Sequence, residues 1–76
     1  MKTLIYDTVI NLANQAPEQH AETRQQLYNR LALPFEKQLA LYSCVLGPAS
    51  SGKLESPHSI NYAVDRAIEL LETPEH

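Results

Sequence analysis

Proline placement constrains this chain more than any other feature. A proline is tolerated in the first turn of a helix but removes a hydrogen-bond donor and clashes with the preceding turn when it lies inside one. Pro17, Pro34 and Pro57 each precede a stretch with helical apolar spacing, and Pro74 closes the last of these. Pro48 follows Gly47, the order expected just beyond a helix C-terminus. The punctuation predicts an all-α fold, a compact bundle of four short helices at about 3–15, 17–32, 34–46 and 57–72, with a mobile loop over 47–56. Three helices and an extended connector form the alternative.

The first helix opens at Thr3, an N-cap type, and gathers Ile5, Tyr6, Val9, Ile10, Leu12, Ala13 and Ala16 on one broad face. The second is rich in Gln, Glu and Arg and has a thin stripe of Ala21, Leu27, Tyr28 and Leu31, which predicts an outer position. The third is apolar almost all round, from Phe35 through Leu39, Leu41, Tyr42, Cys44, Val45 and Leu46, and so belongs at the centre. Residues 39–46 could also form a buried strand, but no second strand is present to pair with it. The fourth aligns Ile60, Val64, Ala67, Ile68 and Leu71, with Ser56 as N-cap and Thr73-Pro74 as its end.

A chain of 76 residues with one cysteine has neither a disulfide nor a cysteine pair for zinc. A core this small supplies only about 3–5 kcal/mol, so docking or self-association is a natural source of further stability. Asp7 interrupts the N-terminal apolar stretch where a signal peptide would carry its core, and no later run approaches a membrane span. Together with the lone cysteine this predicts a cytoplasmic protein with no membrane partner. Six Lys and Arg against nine Asp and Glu give a formal net charge of −3, which disfavours nucleic acid as a partner. The second and third helices could be asked to form a helix-turn-helix. The third, however, offers Leu, Ala, Tyr, Val and Cys where base-reading polar side chains are needed.

One motif-like string stands out. Gly47, Gly52 and Lys53 match the phosphate-cradling loop up to its last position, where Leu54 replaces the required hydroxyl. A strand before it and a helix in register after it are also missing, so the string reads as a helix cap and connector. Asp65, Glu69 and Glu72 share one face of the fourth helix, with Glu75 beyond them. Such a face is ordinarily solvated, and its alternative use is docking on a basic partner. Cys44, His20, His58 and His76 are the only soft-metal or nucleophilic groups, and no two have ligand spacing. On an apolar helix Cys44 reads as a small buried hydrophobe. Tyr28 and Tyr42 read as core or core edge, while Tyr6 and Tyr62 lie on helix flanks where aromatic interface anchors are found.

These residues predict a non-enzymatic protein-binding module, a regulator, inhibitor or adaptor. It would act on another cytoplasmic protein or by homodimerisation, without catalytic residues, metal, cofactor or small-molecule substrate. The candidate contacts are Tyr6 and Ile10 on the first helix, Tyr62, Asp65 and Glu69 on the fourth, and Ser50 and Lys53 in the loop. The alternatives are a transcription-associated factor touching nucleic acid as a dimer and a structural subunit of a larger enzyme.

Overall fold

In a computed structural model that describes residues 1–72, the described chain is helical apart from its first residue and short connections over residues 15–16, 32–34 and 51–56. Helix α1 spans Lys2–Asn14, and α2 spans His20–Leu31 after a 3-10 turn at Pro17–Gln19. Helix α3 is a continuous helical run over residues 35–50, built of an α-helical part Phe35–Leu41, a π-helical turn Tyr42–Leu46 and a last α-helical turn Gly47–Ser50. Helix α4 spans Pro57–Glu72. The four-helix architecture is therefore as the proline pattern predicts, and no strand occurs among the described residues. The expected end of the fourth helix at Thr73-Pro74, the charge at Glu75 and the terminal His76 lie outside them.

Helix α1 packs on α2, on α4 and on the second half of α3, while the first half of α3 packs on α4. The core comprises Ile5, Val9 and Leu12 from α1, Leu27 and Tyr28 from α2, Leu41, Val45, Leu46 and Ala49 from α3, and Ile60, Ala63, Val64 and Ala67 from α4. The Cα radius of gyration, 11.5 Å, is that of a fully packed chain of this length. The second half of α3 is central, as its composition predicts, whereas in the first half Leu41 is buried but Phe35 and Leu39, also expected inside, are exposed.

Several local expectations are overturned. Thr3 is not the cap of α1: the helix begins a residue earlier, and the Met1 carbonyl accepts the Ile5 N–H at 3.1 Å. Ile10, Ala13 and Ala16 are exposed, so the buried stripe of α1 is narrower than predicted. Ala21 is exposed as well, and the buried position at the head of α2 belongs to His20, whose Nε2 lies 3.2 Å from the Gln15 carbonyl. Tyr28 is buried, but Tyr42 is not.

The largest departure concerns residues 47–56. Gly47–Ser50 form a helical turn and Ala49 is buried, so the non-helical connection is confined to residues 51–56. Pro48 sits inside the helical run because the turn before it is widened: the Gly47 N–H bonds the Tyr42 carbonyl, five residues back. That π spacing relieves the crowding a proline ring causes against the carbonyl four residues earlier. The helix ends further on, where Gly52 adopts φ +74°. Its N–H bonds the Ala49 carbonyl at 3.3 Å, and the Lys53 N–H bonds the Pro48 carbonyl at 2.9 Å. This is a Schellman closure, with glycine in the left-handed position that favours it. Ser56 then caps α4 as expected, its Oγ accepting the Ser59 N–H at 3.1 Å.

Burial pushes the Tyr28 phenol above its ordinary value of 10.0; nearby Arg24 opposes that shift and Tyr42 adds to it. The folded chain therefore holds the phenolic proton more tightly than the unfolded chain. The resulting stabilisation is complete below about pH 10 and is lost as pH rises beyond it. Alkaline unfolding followed by circular dichroism is expected to shift to higher pH in Tyr28→Phe relative to its own neutral-pH stability. An unchanged alkaline limb would contradict this assignment.

Candidate functional site

An open groove of about 500 Å³ runs between α3, the connection and the first half of α4. Its volume falls in the range of pockets that take ligands or anchor side chains. Cys44 from α3, Leu54 from the connection and Ala63 from α4 line it with small and apolar surface. His58, Ser59, Tyr62 and Arg66 supply the polar part, all from α4. Helical spacing explains the alignment, since His58, Tyr62 and Arg66 follow one another at i, i+4 and i+8 and so project from adjacent turns. Leu54 arrives because the Schellman closure at Gly52 reverses the chain immediately before it.

The groove is apolar with a cationic edge. Arg66 makes a long ion pair with Glu69, at 3.9 Å between exposed side chains. Such a pair contributes little and leaves the guanidinium available for exchange. Tyr62 is 65% exposed, which is unusual for so large an aromatic with an apolar depression beside it.

Of the residues singled out in the sequence, Tyr62 belongs to this groove. Asp65 and Glu69 lie on the outer side of the same helix, where Lys2 Nζ meets Asp65 Oδ1 at 2.9 Å and Arg66 meets Glu69. Those intramolecular pairs moderate the acidic face. Ser50 ends α3, and its Oγ accepts a 3.4 Å hydrogen bond from Arg24 Nη1. Lys53 follows the Schellman glycine and is exposed. Tyr6 is half-buried against the core and Ile10 is exposed on α1, both outside the groove lining. The predicted contacts are thus spread over several faces rather than gathered in one.

Sequence spacing gave no hint that Cys44 and His58 line a common groove. Cys44 is half-buried rather than enclosed. No hydrogen bond joins the two among the described residues, and an activated nucleophile needs its base within hydrogen-bond reach. Arg66 was also missed, although its i+4 relation to Tyr62 was a usable signal. A smaller, more polar cleft of about 230 Å³ lies between α1 and α2, with Asp7, Asn11, Gln26 and Arg30 among its walls.

The phosphate-loop resemblance is resolved by polarity. Gly52 and Lys53 close the C-terminus of α3, where carbonyl groups point outward, whereas a phosphate loop leads into a helix N-terminus with its N–H groups and favourable dipole. Among the described residues no three His, Cys, Asp or Glu side chains gather as a metal would require, and no helix is long and apolar enough to cross a membrane.

No curated protein is similar enough to the chain to count as a match. The sequence does match one family along its whole length, residues 1–76, and the helical architecture agrees with the saposin-like fold named in that family's description. The chain belongs to the Pas factor saposin fold family.

Proposed function

We propose that the chain is a non-enzymatic binding module that docks a cytoplasmic protein partner, or a second copy of itself, through the groove between α3 and α4. The observation that carries this is Tyr62, two-thirds exposed beside an apolar depression that a monomer leaves uncovered. A rigid aromatic at the rim of a pocket contributes large contact area at low entropic cost, the property of interface hot spots. Among the described residues no hydrogen bond joins Cys44 and His58 in the groove, and its apolar wall beside an exposed aromatic is what supports the binding reading.

Nucleic-acid contact gains no support from the positions of the cations. Arg24 lies over the Tyr42 ring at 5.3 Å, Arg30 lines the cleft between α1 and α2, and Lys37 Nζ donates to the Leu70 carbonyl at 3.1 Å. These three cations are engaged at different places on the protein and do not form one patch.

Tyr62→Arg tests the proposal. The side chain is exposed, so the fold, followed by circular dichroism, is expected to persist. Retention of a specific protein on the immobilised chain, or self-association by sedimentation, is expected to weaken by about tenfold or more. Unchanged retention and unchanged self-association would count against the groove.

A further inference from the structure

The sequence of α3 contains two apolar stripes, and the π turn decides which one faces the core. Phe35, Leu39, Tyr42, Leu46 and Ala49 are spaced by four, three, four and three residues. In an uninterrupted α-helix that spacing places all five on one face. In the folded chain the face is split. Leu46 and Ala49 are buried, at 0% and 4% exposure, whereas Phe35, Leu39 and Tyr42 are exposed by 66%, 53% and 44%. Leu41 takes the inward position in the first half, at 0%. It precedes Leu46 by five residues, one π turn, just as Tyr42 precedes Gly47.

We infer that α3 is a two-register helix, held in the observed register by the Gly47-Pro48 pair. Resolving the π turn into α geometry, with the second half fixed, turns the first half by about 100°. Phe35, Leu39 and Tyr42 then come into line with Leu46 and Ala49, and Leu41 leaves the core. The side chains that oppose this are identifiable. Pro48 has no N–H to donate to the carbonyl of Cys44 and crowds that carbonyl in an α turn. Gly47 makes room for the Tyr42 ring: a Cβ there would lie 3.1 Å from the Tyr42 carbonyl oxygen and 3.2 Å from its Cε1. Arg24 lies over that ring and reaches Ser50, while Gln38 Nε2 donates to the Leu33 carbonyl at 3.0 Å. The segment is thus a built-in device that presents or withdraws an apolar stripe without unfolding. The device rests on the turn and not on the proposed function, although Cys44 of the groove wall lies within that turn.

The test is nuclear magnetic resonance of wild type and of the double variant Gly47→Ala, Pro48→Ala. Couplings across hydrogen bonds identify the acceptor of the residue-47 amide, and a soluble paramagnetic probe reports which side chains face water. Wild type is expected to show the Tyr42 carbonyl as acceptor, with strong broadening of Phe35 and Leu39 and protection of Leu41. In the double variant the acceptor is expected to move to Ser43, Phe35 and Leu39 to become protected, and Leu41 to broaden. Retention of the Tyr42 acceptor, or its loss with Phe35 still broadened, would overturn the inference. Deleting Ser43 supplies the opposite control, because removing one residue restores α geometry without rotation; Phe35 must then stay exposed, and its burial would also overturn it. If the double variant does not fold, relaxation dispersion on the single variant Pro48→Ala, in which part of the hold is removed, decides: exchange at Phe35, Leu39, Leu41 and Tyr42 supports two registers, and flat profiles exclude them.

Discussion

Replacing Leu46 with alanine is expected to remove about 2–5 kcal/mol of stability, most or all of what a core of this size supplies. Leu46 is completely enclosed where α3 meets the rest of the bundle, so truncation loses its burial and leaves a cavity. Chemical denaturation should show a chain largely unfolded without denaturant. The matching substitution Phe35→Ala removes a larger side chain from the same helix, yet is expected to cost less than about 1 kcal/mol, because the ring is mostly exposed. Size and hydrophobicity rank the two in the opposite order. If Phe35→Ala proved the more damaging, the outward position of the Phe35 stripe would be wrong.

The two glycines of the phosphate-loop-like string give the second contrast. Gly47→Val is expected to destabilise the fold by about 1–3 kcal/mol by overpacking, since a branched side chain there meets both the Tyr42 carbonyl and its ring. Moving that ring also removes it from beneath Arg24. Gly52→Ala meets no atom within 4 Å and acts only through the positive φ of that residue. It is expected to cost about 1–2 kcal/mol, the strain of a left-handed non-glycine residue. Thermal unfolding of both variants checks the pair. A neutral Gly47→Val would mean that the π turn does not hold Tyr42 as described.

What the sequence made legible were the features set by local chemistry. Ser56 before Pro57 marks the start of α4, and Ile60, Val64 and Ala67 mark its buried side, because cap preference and helical period act over a few residues. Pro48 misled for the same reason. Gly-Pro order imitates a helix end, and only the widened turn at Tyr42–Leu46 lets the helix continue through it. In that turn the Tyr42 ring lies against Gly47 and under Arg24 from another helix, contacts that local spacing does not reveal. The exposure of Tyr42 follows from the same turn. The groove was illegible because its walls come from three stretches, and Cys44 meets the His58 side of α4 only after α3 and α4 pack together. The exposure of Tyr62 was legible because an aromatic on a helix flank can be read from the wheel.

Cys44 provides the most direct test of the claim that the groove is the working surface, because it is the chain's only cysteine and lines that groove half-buried. Alkylating it with a bulky maleimide fills the depression without altering any other residue. Binding is measured before and after, as self-association in sedimentation and as retention of proteins from native lysate, with circular dichroism confirming that the helices persist. Loss of both signals from an intact fold is the predicted result; full binding by the folded, quantitatively alkylated chain would contradict it.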